Sequence, residues 1–189
     1  MGKVIVFNLT TIDGFFEGPK HEIDWHHVDE EFNEFAIEQL NTVDTLLFGR
    51  VTYELMANYW PTPTAIKNDP IVANKMNSLS KIVFSKTLTK ADWHNARLIK
   101  DNFVEQISKL KKRPGKDMFL FGSSDLMLSF IPHGLIDEYR IMVNPVFLGA
   151  GKPLLKGIQN RVELKLVKTK SFKSGNVLIY YEPAKKYPT

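Results

Sequence analysis

Leu47-Phe48-Gly49-Arg50-Val51-Thr52 and Leu120-Phe121-Gly122-Ser123-Ser124-Asp125 have the same layout: an apolar run closes on a glycine and passes directly into helix-forming residues. The runs themselves, Thr45-Leu46-Leu47-Phe48 and Met118-Phe119-Leu120-Phe121, are short and continuous, as buried strands are. A helix start offers unpaired N–H groups and a partial positive charge, and glycine lets a phosphate approach the backbone. Two such turns at neighbouring strand ends would bracket a diphosphate, with Arg50 and Thr52 as further donors. Either turn taken alone is equally an ordinary tight connection. Neither contains G-x-G-x-x-G, so the Rossmann fingerprint is absent.

Working outward, residues 4–9 read as a buried first strand, followed by the turn signal Asp13-Gly14. Between residues 29 and 40, Phe32, Phe35, Ala36 and Leu40 fall on one helical face. A helix beginning at Arg50 or Val51 puts Val51, Leu55 and Tyr59 on one face and ends at Pro61. Residues 61–70 read as the longest irregular stretch, and residues 81–85 as a third strand. Asn102-x-x-Glu105 has the form of a capping box for a helix with Phe103, Ile107 and Leu110 inward. Ser123, Ser124 and Asp125 are good caps for a helix that Pro132-His133-Gly134 stops.

The pattern then changes. Tyr139/Ile141/Val143, Val162/Leu164/Leu166 and Val177/Ile179/Tyr181 alternate with polar residues, and Ser174-Gly175-Asn176 reads as a hairpin turn. Helix-separated strands followed by alternating strands predict an α/β fold: a mixed sheet with helices on both faces and an antiparallel C-terminal edge. No repeat or linker divides residues 1–189, which predicts a single domain.

Composition narrows the function classes. The chain has no cysteine, which excludes disulfide frameworks, iron–sulfur clusters, Cys–zinc sites and a Cys nucleophile. The N-terminal apolar run meets Asn8 after four residues, so no membrane span or signal peptide is expected, and a cytoplasmic protein is. The net charge of +4 and pI near 9.1 favour anionic partners. The densest basic run, Lys109, Lys111, Lys112, Arg113 and Lys116, lacks interleaved aromatics and suits a helix C-terminus, so no nucleic-acid partner is expected. The tail Lys185-Lys186-Tyr187 reads as solvated.

Several polar groups are candidates for chemistry. Ser85 and Lys86, at the end of the third strand, could hold a ribose phosphate, favouring NADP over NAD; Lys86 is equally an ordinary loop lysine. Glu31 stands four residues before Phe35, bordering the apolar face, where burial would raise its pKa. Asp13 is either a turn residue or a polar group facing the site. His21 and His26 are five apart, one too many for a helical metal pair; a divalent site of His26, His27 and Asp24 is the alternative to the favoured reading, in which no metal is expected and residues 21–27 form a mobile loop over a site with Trp25 as a packing or stacking group.

Four segments carry a family resemblance: Thr11-Ile12-Asp13-Gly14-Phe15; Leu47-Phe48-Gly49-Arg50-Val51-Thr52-Tyr53-Glu54; Phe121-Gly122-Ser123-Ser124; and Gly134-Leu135-Ile136-Asp137-Glu138 with Pro145-Val146-Phe147-Leu148-Gly149-Ala150-Gly151-Lys152-Pro153-Leu154. In these the chain resembles the dihydrofolate reductase-like superfamily, in the branch of the riboflavin-biosynthesis reductase domain. The resemblance implies a mostly parallel sheet that binds NADPH and transfers hydride to a pyrimidine- or pterin-type heterocycle. It implies a cofactor diphosphate at Gly49, Arg50 and Thr52, a 2′-phosphate at Ser85 and Lys86, and a diphosphate–nicotinamide contact at Gly122, Ser123, Ser124 and Leu126. It also implies a catalytic carboxylate at Glu31 or Asp13, a loop 149–151 near substrate or dimer interface, and a homodimer. Ser123 stands where dihydrofolate reductases carry a second glycine, and the missing cysteines leave no deaminase half. The alternative is an NADP(H)-binding protein that kept the fold without the chemistry.

Overall fold

A computed structural model describes residues 2–184; the tail 185–187 discussed above lies outside them. The strands are β1 (Val4–Thr11), β2 (Phe15–Glu17), β3 (Val43–Gly49), β4 (Ser80–Phe84), β5 (Ala96–Ile99), β6 (Asp117–Phe121), β7 (Glu138–Asn144), β8 (Lys152–Pro153), β9 (Leu164–Ser171) and β10 (Val177–Pro183). The helices are α1 (Glu30–Thr42), α2 (Arg50–Tyr59), α3 (Pro63–Asn68), α4 (Pro70–Ser78), α5 (Phe103–Lys112) and α6 (Ser124–Phe130), the last followed by one 3-10 turn.

Eight strands form one sheet in the order β5-β4-β3-β6-β1-β7-β10-β9, and β2 pairs with β8 apart from it. Pairing is parallel from β5 through to β7, while β10 and β9 add antiparallel. The mixed sheet and its antiparallel edge are those the sequence pattern predicts. Alternation along β1 divides the core. Ile5, Phe7 and Leu9 join the layer under α1, α2 and α4, whereas Val4 and Val6 join the layer under α5 and α6. Both faces of β1 are therefore buried, which explains its near-continuous apolar sequence.

Three local expectations are corrected. Residues 61–70 are not irregular: they hold α3 and the start of α4, each opened by a cap–proline pair. Thr62 accepts from Ala65 N and Asp69 from Val72 N, and Pro63 and Pro70 sit where a missing N–H costs nothing. The face of α2 that carries Val51, Leu55 and Tyr59 is solvent-exposed, and Tyr53, Met56, Ala57 and Trp60 pack inward instead. Asn102 makes no side-chain cap, because its own φ of +55° takes it out of the extended conformation a capping box needs; Glu105 pairs with Lys109.

Candidate active site

Parallel strands bring their C-terminal ends to one edge. Along that edge stand Ser85 after β4, Gly49 ending β3, Gly122 after β6, Thr11 ending β1 and Asn144 ending β7, on five consecutive strands. Four strand spacings of about 4.8 Å make this row about 19 Å long. From β3 the chain crosses into α2 on one face of the sheet, and from β6 it crosses into α6 on the other. Strand order reverses there, which opens a crevice outside the strand ends, the usual ligand position of open α/β sheets.

The two glycine turns meet in this crevice and are tied by hydroxyls. Gly49 N donates to Ser123 Oγ (3.0 Å), Ser123 Oγ to Thr52 Oγ1 (2.9 Å), and Thr52 Oγ1 to Gly122 O (2.7 Å). The hydroxyls of Thr52 and Ser123 are thus spent on holding the turns together. Gly122 has φ +56°, a left-handed conformation that favours glycine, while Gly49 at φ −77° needs none. A Cβ on Gly49 would touch Ser123 and Leu126, so Leu126 forms the turn's packed floor.

Neither α2 nor α6 has a side-chain cap, unlike α1, α3 and α4. Their first N–H groups are left for another partner. Ser124, in the first turn of α6, is buried and its Oγ has no partner among the described residues. Arg50 stands at the rim, paired to Glu54 at 2.8 Å, with both side chains nearly half exposed. Such an i,i+4 pair contributes only about 0.3–0.5 kcal/mol and is easily exchanged for a stronger anion. Ser85 Oγ accepts from the amides of Thr87 and Leu88, fixing the turn that presents exposed Lys86. Lys86 has no internal partner among the described residues.

The two carboxylates lie toward the β7 side of the sheet, Asp13 just after β1 and Glu31 against the β9–β10 hairpin beyond β7. Asp13 is exposed, and its carboxylate accepts from Thr11 Oγ1 (2.5 Å), Gly149 N (2.7 Å) and Leu148 N (3.1 Å). The Thr11 hydroxyl, with the Gly149 and Leu148 amides, holds its pKa below the usual carboxylate value, so it stays ionised. Glu31 Oε2 accepts from Lys173 N at 2.8 Å, and its other oxygen has no partner among the described residues. Asp29, two residues earlier, caps α1 through Phe32 N.

The loop 21–27 differs from its expectation. It is anchored rather than free: Trp25 is 9% exposed within the core, and both backbone polar groups of His27 are gripped by Asn144 and Asn176. The histidines face different neighbours. His21 pairs with Glu17, the His27 ring meets Ser174 O, and the His26 ring lies edge-on to Trp25. Burial pushes the His26 pKa down to about 4, so the ring is neutral at ordinary pH.

Two hollows lie elsewhere. One of about 590 Å³, near Tyr53, Pro61 and Trp93, includes none of the residues expected to bind cofactor or act in catalysis. One of about 280 Å³ lies between Glu17, His21, Gly151, Lys152 and Lys156, beside the loop 149–151. Sequence reading missed Asn144 and took Asn176 only as a hairpin-turn residue; both are fully buried.

Residues 2–178 match the model of the RibD C-terminal domain. The chain belongs to that family. In sequence it is 40% identical over 181 residues to the uncharacterized protein YyaP of Bacillus subtilis, covering 95% of this chain and 94% of that one. In structure the RibD-type fold recurs in a Thermotoga maritima diaminohydroxyphosphoribosylaminopyrimidine deaminase/5-amino-6-(5-phosphoribosylamino)uracil reductase (18% identity, TM-score 0.69), covering 97% of this chain and 57% of that one. It recurs also in Enterococcus faecalis dihydrofolate reductase complexed with NADP(H), at 17% identity and TM-score 0.65 over 97% and 98% of the two chains. The dihydrofolate reductase-like fold expected from the four segments is thereby established.

Proposed function

We propose that this RibD-type domain is an NADPH-dependent reductase that delivers hydride to a pyrimidine- or pterin-type heterocycle. The observation that carries the reading is the pair of uncapped helix starts, joined by the Gly49–Ser123–Thr52–Gly122 relay at the switch point. Unpaired N–H groups beside glycine fit a diphosphate. Arg50 at the rim supplies a cation for the diphosphate, Lys86 on its turn supplies one for the 2′-phosphate, and the Ser124 hydroxyl, without a partner among the described residues, supplies one more polar contact. Bound there, the dinucleotide supplies the hydride.

The protein's own work is orientation and proton management. Glu31 faces the heterocycle with the oxygen that Lys173 N leaves free, and places or relays the proton. Asp13, held ionised, acts by fixing the loop 148–149. We also propose a homodimer. Its support is the sheet face of β7-β10-β9, where half-buried Ile141, Ile179 and Tyr181 adjoin exposed Leu164 and Leu166.

The test is NADPH oxidation with dihydrofolate and 5-amino-6-(5-phosphoribosylamino)uracil. Oxidation of NADPH, reduced about tenfold or more in Glu31→Gln, is expected. Tight NADPH binding without oxidation in a wider pterin and pyrimidine panel would select the non-catalytic alternative, to which the engagement of both carboxylates lends its support.

A further inference from the structure

One residue of the loop before α1 is held on both backbone polar groups by buried side chains. Asn144 Oδ1 accepts from His27 N at 2.9 Å, and Asn176 Nδ2 donates to His27 O at 2.8 Å. Both asparagines are fully buried. A third tie runs from Glu31 Oε2 to Lys173 N, in the same β9–β10 hairpin that carries Asn176. Each buried amide is costly unless its hydrogen bonds are made, and an aliphatic residue at a strand end would pack without that cost.

The cost is visible. Among the described residues five buried side-chain polar atoms lack a partner, and three of them, His26 Nε2, Ser174 Oγ and Asn176 Oδ1, lie on the two segments so joined. Native interiors satisfy nearly all such groups, and exceptions gather where stability is given up for function. What is held also has a consequence in the fold. His27, bonded to Asn144 at the end of β7, follows Trp25 and His26 and precedes by four residues Glu31, the carboxylate held by the adjacent β9–β10 hairpin. The end of β7 lies beside the glycine crevice, because β1 separates β7 from β6.

We propose that Asn144 and Asn176 are positioning residues for the heterocycle half of the cleft, acting through the backbone of His27. Asn144 works as an acceptor from the end of β7 and Asn176 as a donor from the β9–β10 hairpin, and together they set Glu31 and the Trp25–His26 pair. This rests on the reductase reading of the cleft. The cofactor half, built from β3, β4 and β6, does not depend on the clamp.

The opposite polarities make one substitution discriminate. Asn144→Asp keeps an acceptor for His27 N while giving up the long Nδ2 contacts to Thr10 O and Met142 O, whereas Asn176→Asp loses its donor to His27 O; alanine at each position removes the whole amide. Amide exchange over residues 25–31, NADPH affinity by calorimetry, and heterocycle kcat and KM are measured well below each variant's unfolding midpoint. In Asn144→Ala the His27 amide should exchange at least tenfold faster and in Asn144→Asp near the wild-type rate. In both Asn176 variants KM for the heterocycle should rise at least tenfold with kcat falling less, while NADPH affinity stays within twofold. His27 exchange unchanged in Asn144→Ala overturns the clamp. Faster exchange with an unchanged KM overturns the positioning role, as does a parallel loss of NADPH affinity. Failure of the wild type to oxidise NADPH with any heterocycle defeats instead the reductase reading, and with it the substrate half of this proposal.

Discussion

At the scale of single residues, the hydroxyls in the glycine turns are joints. Thr52 and Ser123 are 71 residues apart, and Thr52 reaches Gly122 O while Ser123 takes Gly49 N. Sequence shows each as a hydroxyl near a helix start but not the partner across the crevice, so a phosphate donor was the natural expectation. Thr52→Val, equal in shape, strips partners from both Gly122 O and Ser123 Oγ. It should cost about 1–3 kcal/mol in urea unfolding and weaken NADPH about tenfold. Loss of neither would leave the relay without consequence. His26 yields a pH prediction. Its folded pKa is about 4 against 6.5 when free, so between these values the unfolded chain binds the proton that the folded chain refuses. Stability therefore falls as pH drops through this window, by about 2 kcal/mol at about pH 5. His26→Phe should shrink the difference in urea midpoint between pH 7 and pH 5; an unchanged difference contradicts the assignment.

At the scale of elements, sequence pattern located β1, β3, β4, β6, β7, β9 and β10 and the larger helices, but not the short β2, β5 and β8, which span two to four residues. It failed at α3 and α4, where two prolines look like breaks but stand at first helical positions after Thr62 and Asp69. It also left the inward face of α2 unread, since Val51, Leu55 and Tyr59 form an apolar stripe that the structure exposes. The C-terminal end of α4 rests on a device that no pattern announces. Lys81 is 1% exposed, and its Nζ donates to the carbonyls of Met76, Asn77 and Leu79 beneath the Trp93 ring. Burial pushes its pKa down to about 8, yet the three acceptors still need a donor. Lys81→Met should therefore destabilise by about 2–4 kcal/mol despite its apolar fit. A midpoint at or above wild type would show that the carbonyls find other donors.

At the scale of the molecule, the antiparallel edge has two unlike faces. On one, Arg140, Tyr180 and Lys168 stack beside α1, with Arg140 bonded to Gln39. On the other, Ile141, Ile179, Tyr181 and Leu166 line up across three strands. Light scattering should give twice the chain mass of 21.7 kDa, and Leu166→Glu with Ile179→Glu should return the monomer. A wild-type monomer would remove the dimer.

The order of the sheet also explains what was legible of the site. Glycine-led helix starts are local signals and could be read, whereas their adjacency depends on β3 and β6 being neighbours, which only the fold decides. That adjacency is the central claim, and cofactor titration tests it most directly. Quenching of the three tryptophans by NADPH and by NADH is compared in the wild type, Arg50→Ala and Lys86→Ala. NADPH should bind at least about tenfold tighter than NADH to the wild type; Lys86→Ala should lose most of that preference, and Arg50→Ala should weaken both dinucleotides. Equal affinity for the two dinucleotides, unaltered in both variants, would contradict it.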